Sequence, residues 1–247
     1  MSKVAVVTGG GSGMGEATCH ELGRRGLKVA VLDVNEQAAQ RVTDDLRSEG
    51  ATALGLGVDV TDRPAIEQAF AKLRGELGQV SVLVTSAGLF GFAPFTEITA
   101  ESWSRIIDVN LTGTFHCCQV ALPDMIEARW GRIVMISSSS AQRGSPFAAH
   151  YAASKGAVMT LTKSLAREYA QQGITVNNIP PSGIETPMQH QGQAAGFLPS
   201  NEQMAASIPL GYLGTGADIA AAVGFLCSEE ARFITGQTLG VNGGAVM

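Results

Sequence analysis

Short runs of aliphatic and β-branched residues recur along the chain, separated by longer segments whose apolar positions return every three or four residues. Val4-Ala5-Val6-Val7, Val29-Ala30-Val31-Leu32, Val80 to Val84, Arg132 to Ile136 and Ile174 to Ile179 lack regular polar alternation. Such runs mark strands buried on both faces of a parallel sheet. Ala53 to Val58 reads as a weaker, glycine-interrupted strand, and Thr238 to Val241 as a short last one. The intervening segments Gly13 to Gly26, Glu36 to Glu49, Asp62 to Leu77 and roughly 100–128 read as helices, as does the segment carrying Tyr151 and Lys155. Thr61-Asp62 followed by Pro64 is a helix-start signal. Strand–helix alternation throughout predicts an α/β fold, a doubly wound parallel sheet with helices on both faces. One stretch breaks the rhythm. Residues 183–211 are rich in Gln, Gly and Pro and are expected to form a long binding loop inserted in a single domain over residues 1–247.

Composition narrows the function classes. The 247 residues are 45% hydrophobic, enough for a sizeable core, and carry 22 acids against 17 bases for a net charge of −5. With no basic run longer than Arg24-Arg25, nucleic acid and anionic membrane are not expected partners. No apolar run approaches the ~20 residues of a membrane helix. The strand pattern begins at Lys3-Val4, leaving no stretch for a leader peptide, so a soluble, cytoplasmic protein is expected. Cys19, Cys117, Cys118 and Cys227 have no metal-site spacing, and no metal is expected.

The chemistry begins between the first strand and the first helix. Thr8-Gly9-Gly10-Gly11-Ser12-Gly13-Met14-Gly15 places glycines where the backbone must turn tightly against a phosphate, and a helix N-terminus offers unpaired N–H groups. Gly9, Ser12, Gly13, Met14 and Gly15 are therefore candidate cofactor contacts, and the βαβ setting makes the sheet a Rossmann fold. Asp33 ends the second strand twenty positions after Gly13. A carboxylate there accepts from ribose hydroxyls and repels a 2′-phosphate, and Ser12 supplies no cation for one. Both features favour NAD(H) over NADP(H). Asp59-Val60 follows the third strand, where the Asp side chain can meet an adenine.

Tyr151 is the candidate proton carrier. Of three tyrosines it alone has a lysine, Lys155, four positions later, on the same helix face. A free phenol has a pKa of about 10. A cation within ~4–6 Å lowers an acid by ~1–3 units, so Lys155 is expected to pull Tyr151 toward neutrality.

The loop at Thr8 to Gly15, Thr85-Ser86-Ala87-Gly88, Asn110, Ser138, Tyr151 with Lys155, Gly236-Gln237 and Val241-Asn242-Gly243-Gly244 together resemble the short-chain dehydrogenase/reductase family. The likeness spans the whole chain. It is greatest to 3-oxoacyl-[acyl-carrier-protein] reductases and the alcohol and hydroxysteroid dehydrogenases similar to them. The resemblance implies that Tyr151 is the general acid or base and that Lys155 lowers its pKa and binds the nicotinamide ribose. It implies that Ser138, thirteen positions earlier, holds the substrate oxygen, and that Asn110 holds a water joining Lys155 to solvent. Ser86, Ala87 and Gly88 would lie along the cofactor, with Ile184 and Thr186 at its carboxamide. A homotetramer is implied, built from the helices around 100–128 and 150–172 with the C-terminal segment.

Three positions depart from the family pattern. Ser86 replaces the usual Asn. Ser182 replaces a glycine within Pro180-Pro181-Ser182-Gly183. Arg129 fits the basic site mouth of carrier-protein reductases, but Gln171-Gln172 is neutral, which weakens acyl carrier protein as a partner. Phe90, Phe92, Phe95, residues 143–149 and the Met188 to Met204 loop are candidate walls of an apolar pocket, suited to a bulky small-molecule alcohol or ketone. Gln189, His190 and Gln191 can contact substrate or solvent, with His190 non-catalytic. A silent dinucleotide-binding regulator is the competing class, but it would not need Ser138, Tyr151 and Lys155 together. A nucleotide-sugar epimerase would need a larger C-terminal substrate domain.

Overall fold

The computed structural model describes residues 3–247. Six parallel strands form one sheet in the order β3-β2-β1-β4-β5-β6. They are β1 (Val4–Thr8), β2 (Lys28–Asp33), β3 (Ala53–Gly57), β4 (Val80–Thr85), β5 (Gly131–Ile136) and β6 (Ile174–Ile179). The helices are α1 (Gly13–Arg24), α2 (Glu36–Ser48), α3 (Arg63–Glu76), α4 (Ala100–Ile107), α5 (Gly113–Ala128), the short α6 (Ser140–Arg143), α7 (Ala149–Tyr169), α8 (Pro187–Ala194), α9 (Asn201–Ala206) and α10 (Gly216–Leu226).

Side chains alternate across the strands and divide the core in two. Val4, Val6, Leu32, Leu83 and Ile133 face α3, α5 and α7 through Phe70, Met125 and Val158. Ala5, Val7, Val31, Val84 and Val134 face α1, α2 and α10 through Leu22, Leu46 and Val223. Every β5 and β6 residue is buried, the polar Arg132, Thr175, Asn177 and Asn178 included, which accounts for the lack of regular polar alternation. Chain order reverses between β1 and β4, so a crevice opens at their carboxyl ends, where open α/β sheets bind ligands.

Two segments differ from the sequence expectation. Thr238 to Val241 is not a strand but forms a single parallel bridge, Asn178 to Thr238. Beyond it Gly243 and Gly244 turn at φ 62° and 86°, and Asn242 closes a local turn by accepting from the Gly244 N–H at 3.0 Å. Backbone bonds join the segment to β6, from the Gly236 N–H to the Val176 carbonyl, the Asn178 N–H to the Gln237 carbonyl and the Leu239 N–H to the Asn178 carbonyl. Asn177 adds to them by donating to the Ile234 carbonyl at 2.8 Å and accepting from the Gln237 N–H at 3.1 Å. Residues 183–211 are not a plain loop, since α8 and α9 fall within them. Thr186 caps α8 ahead of Pro187, and Ser200 with Gln203 forms a capping box on α9. These are legible start signals, too short in their helices to register as periodicity. Among the described residues no helix is long and apolar enough to cross a membrane.

Candidate active site

The glycine loop is shaped by close packing. A Cβ on Gly15 would stand 2.0 Å from the Gly9 carbonyl oxygen, and one on Gly9, at φ 65°, would stand 2.7 Å from the Ala87 nitrogen. Only glycine lets the β1 and β4 ends approach this closely. Ser12 precedes α1 without a side-chain cap bond, leaving the first N–H groups of the helix open toward the crevice.

The crevice holds a cavity of about 760 Å³, within the range of small-molecule and cofactor sites. Gly9, Ser12, Gly13, Met14, Gly15, Asp33, Asp59, Val60, Ser86, Ala87, Gly88 and Thr186 line it. Twelve of the residues singled out in the sequence thus converge on one cavity. Asp33 is oriented by the Gly11 and Asn35 N–H groups at 3.0 and 2.9 Å, with lone pairs left over for a diol. The open helix end, the glycine cradle and this carboxylate fit a dinucleotide. Asp59 accepts from the Thr61 N–H and hydroxyl, both at 2.8 Å. The side chain of Ile184 does not reach the cavity: it packs in the core against the position of Gly214, so any ligand contact there is through backbone.

The four catalytic candidates gather just beyond Gly88. A Cβ on Gly88 would lie 3.3 Å from both Asn110 Oδ1 and Lys155 Nζ. Asn110 sits in a π-helical turn, Asp108–Thr112, between α4 and α5, a distortion common at functional sites. Its amide donates to the Leu89 carbonyl and the Ser154 hydroxyl, each at 3.0 Å, and accepts from the Leu89 N–H at 2.7 Å. It therefore braces the loop after β4, the place where Ser86 is shorter than the family's Asn. Ser137 donates to Asn178 Oδ1 and is structural. Ser138 is buried and accepts from the Ser140 N–H at 3.1 Å, and of these serines it is the one that acts on the Tyr151 phenol, lowering its pKa against the effect of burial.

The expected lowering of the Tyr151 pKa is not realised in this arrangement. Burial pushes the phenol above its ordinary value, and the hydrogen bond with Ser138 offsets only part of that. The Lys155 ammonium donates to the Ile136 carbonyl at 3.0 Å, and its own burial lowers its pKa to about 8. Sharing a helix face is thus not enough for the cation to tune the phenol.

Two further expectations fail. Arg129 stands where β5 begins, at the sheet end opposite Ser138, and donates to the Gln171 carbonyl at 3.0 Å. Phe95 is 73% exposed in a 3₁₀ turn and forms no wall. Sequence reasoning also missed Arg41, which reaches the Gly11 carbonyl at 2.9 Å but is paired to both Glu16 oxygens at 2.8 Å. No local motif announces a contact between α2 and the loop. Val34, Arg105, Val109 and Met188 also line the cavity.

The family model described as enoyl-(acyl carrier protein) reductase matches residues 9–246. The chain is 41% identical to the 3-oxoacyl-[acyl-carrier-protein] reductase FabG of Escherichia coli (strain K12), over 99% of this chain and 98% of that one. The chain belongs to the short-chain dehydrogenase/reductase family. It is also similar to the 2-(S)-hydroxypropyl-CoM dehydrogenase 3 of Xanthobacter autotrophicus, 38% identical over 98% of this chain and 96% of the relative. The solved structure described as "Crystal structure of gox2181" superposes with a TM-score of 0.93 at 32% identity, over 99% of this chain and 95% of that one. As a family member the protein is a nicotinamide-dependent oxidoreductase acting on CH–OH or ketone groups.

The buried lysine has a measurable signature. Its folded pKa of about 8 lies below that of a free lysine, about 10.4, so between these values the unfolded chain holds the extra proton and folding stability rises with pH. Lys155→Met removes that dependence. In urea unfolding, the stability of the parent relative to Lys155→Met should rise by about 2–3 kcal/mol from pH 7 to pH 10. A constant difference would mean that the ammonium is not desolvated.

Proposed function

We propose that this protein moves a hydride between a nicotinamide dinucleotide, NAD(H) preferred, and a secondary alcohol or ketone with a bulky apolar substituent. The observation that carries this reading is the buried Lys155 ammonium set beside Gly88, a residue lining a cavity fitted to a dinucleotide, with Tyr151 one helical turn before that lysine. The bound cofactor supplies hydride chemistry. Tyr151 gives its proton to the carbonyl oxygen in reduction and takes it back in oxidation. Ser138 donates to the same oxygen and stabilises its developing negative charge. Lys155, aligned by the Ile136 carbonyl, holds the ribose. Asn110 braces the Leu89 segment and places a water between Lys155 and solvent.

The NAD(H) preference rests on Asp33, whose carboxylate faces the cavity, and on Arg41, whose charge is paired with Glu16. A 2′-phosphate would meet an anion and no available cation among these groups. Ser86, Ala87, Gly88 and Thr186 complete the cofactor contacts. Phe90 and Phe92, with α8 and α9, form the substrate side of the single domain, and the protein works in the cytoplasm.

A second reading, 3-oxoacyl thioester reduction on acyl carrier protein or CoA, is favoured by the 41% identity to a relative named for that activity. The position of Arg129 away from the site mouth of its own chain weighs against a carrier-protein contact within one subunit. A homotetramer is supported by exposed apolar side chains on the elements that would form it: Trp103 on α4, Phe115 on α5, and Phe233 and Leu239 near the C-terminus.

Tyr151→Phe should lower kcat by a factor of at least about 10²–10⁴ while NADH affinity, read by fluorescence titration, stays nearly constant; near-parental turnover removes Tyr151 from proton transfer. Asp33→Ala should shift the NADH/NADPH ratio of kcat/KM toward NADPH by about tenfold or more, the scale of one charged contact. An unchanged ratio refutes the ribose contact. Light scattering at micromolar concentration should give four times the 25.6 kDa subunit mass, and a monomer would remove the assembly.

A further inference from the structure

His150 directly precedes Tyr151 on α7 and is completely buried. Among the described residues neither of its ring nitrogens has a hydrogen-bond partner. Burial lowers its pKa, so the ring is neutral at physiological pH. An unpaired buried imidazole is unfavourable, and the proton transfer assigned to Tyr151 does not require one. What the ring does is occupy space. A Cβ on Gly91 would stand 2.3 Å from His150 Nε2 and 2.9 Å from Cε1. The imidazole therefore lies directly on the Gly91 backbone, which only glycine permits.

Gly91 is the middle of three points that fix one segment. Leu89 is held through both its N–H and its carbonyl by Asn110. The Ala93 N–H donates to the Phe147 carbonyl at 2.7 Å. The residues between these points carry the rings. Phe90 meets Tyr151 edge-on with centroids 4.8 Å apart. Phe92 stacks on Phe197 of the α8–α9 connection at 4.6 Å and lies 5.2 Å from Phe147. Phe147 itself holds φ 62°, a strained conformation for a bulky residue, of the kind retained where the surroundings over-determine it. Phe147 and Phe197 remain 53% and 45% exposed, so this aromatic array is a surface wall beside the phenol and not part of the core.

Given the oxidoreductase reading above, we propose that His150 is a positioning residue for substrate choice. By seating Gly91 it aims Phe90 and Phe92 so that they select a flat ring on the reacting carbon over a linear acyl chain. Any carbon whose oxygen bonds the Tyr151 hydroxyl carries its substituents past the Phe90 ring. A planar substituent gains an aromatic contact there that a linear chain does not, a preference of roughly 2- to 10-fold per ring.

The test compares kcat/KM for a bicyclic aryl ketone, 1-tetralone, with that for acetoacetyl-CoA. It uses the parent, Gly91→Ala, His150→Ala, the two together, and Phe90→Leu, with Tm and NADH affinity measured on each. The added methyl of Gly91→Ala should lower the ketone/thioester ratio about fivefold or more while NADH affinity stays within about twofold. His150→Ala should lower it by a similar factor, and the double variant no further, a non-additivity that unrelated structural damage would not show. Phe90→Leu keeps apolar volume without a flat face and should lower the ratio roughly 2- to 10-fold. An unchanged ratio in a folded Gly91→Ala or His150→Ala, or additive losses in the double variant, overturns the proposal. If Gly91→Ala does not fold, an unchanged ratio in His150→Ala overturns it instead. A parent that binds NADH but reduces neither probe refutes the proposed function itself, an outcome distinct from loss of selectivity alone.

Discussion

One buried ammonium joins the parts of the site. Lys155 belongs to α7, bonds the last carbonyl of β5, and lies against Gly88 beyond β4 and Asn110 in the π-helical turn. A desolvated cation is unfavourable unless fixed dipoles surround it. The Ile136 carbonyl and the neighbouring Asn110 side-chain oxygen supply such dipoles. The same requirement holds α7 in register against the sheet, and with it Tyr151, one turn earlier on the same helix. The geometry of the proton carrier is thus a consequence of solvating its neighbour.

That arrangement changes the role of the lysine. An isolated Tyr–Lys pair suggests a cation that acidifies a phenol. Here burial acts on both groups and in opposite directions, raising the tyrosine and lowering the lysine, so the charged form of each is disfavoured, although a lysine at about 8 still holds its proton at neutral pH. The phenol is a proton donor held ready and not a standing phenolate.

The strands and the crevice were legible because their signals are local. Uninterrupted apolar runs report burial on both faces, and the glycine loop reports a backbone too close for side chains, as Gly9 and Gly15 bear out. The boundaries that failed depend on partners distant in sequence. Thr238 to Val241 looks like a strand, but its backbone pairing with β6 stops at Leu239 and the chain soon turns at Gly243 and Gly244. Arg129 is near Gln171 in space, yet no spacing says at which sheet end it stands. The helices α8 and α9 have eight and six residues, so their caps identify them better than their periodicity. His150 carries no motif at all; its role emerges only where the ring meets Gly91.

Selectivity in this protein follows from how a rigid core meets a less constrained rim. The cofactor side is built on strand ends and the N-terminus of α1, where substitution of a glycine collides with backbone and little variation is tolerated. The substrate side is built from the 89–95 segment, the strained turn at Phe147 and the α8–α9 connection, whose mutual contacts are aromatic faces and side-chain hydrogen bonds such as Gln189 to Asn201 at 2.9 Å. Ring stacks tolerate sliding and replacement far better than a glycine packed on a carbonyl. Relatives named as a 3-oxoacyl-[acyl-carrier-protein] reductase and a 2-(S)-hydroxypropyl-CoM dehydrogenase are both matched along nearly their whole length. On this rim the rings of Phe90, Phe92, Phe147 and Phe197 lie against one another and against Tyr151, behind them a histidine without a hydrogen bond rests on Gly91, and Phe147 holds a conformation that needs its neighbours to persist.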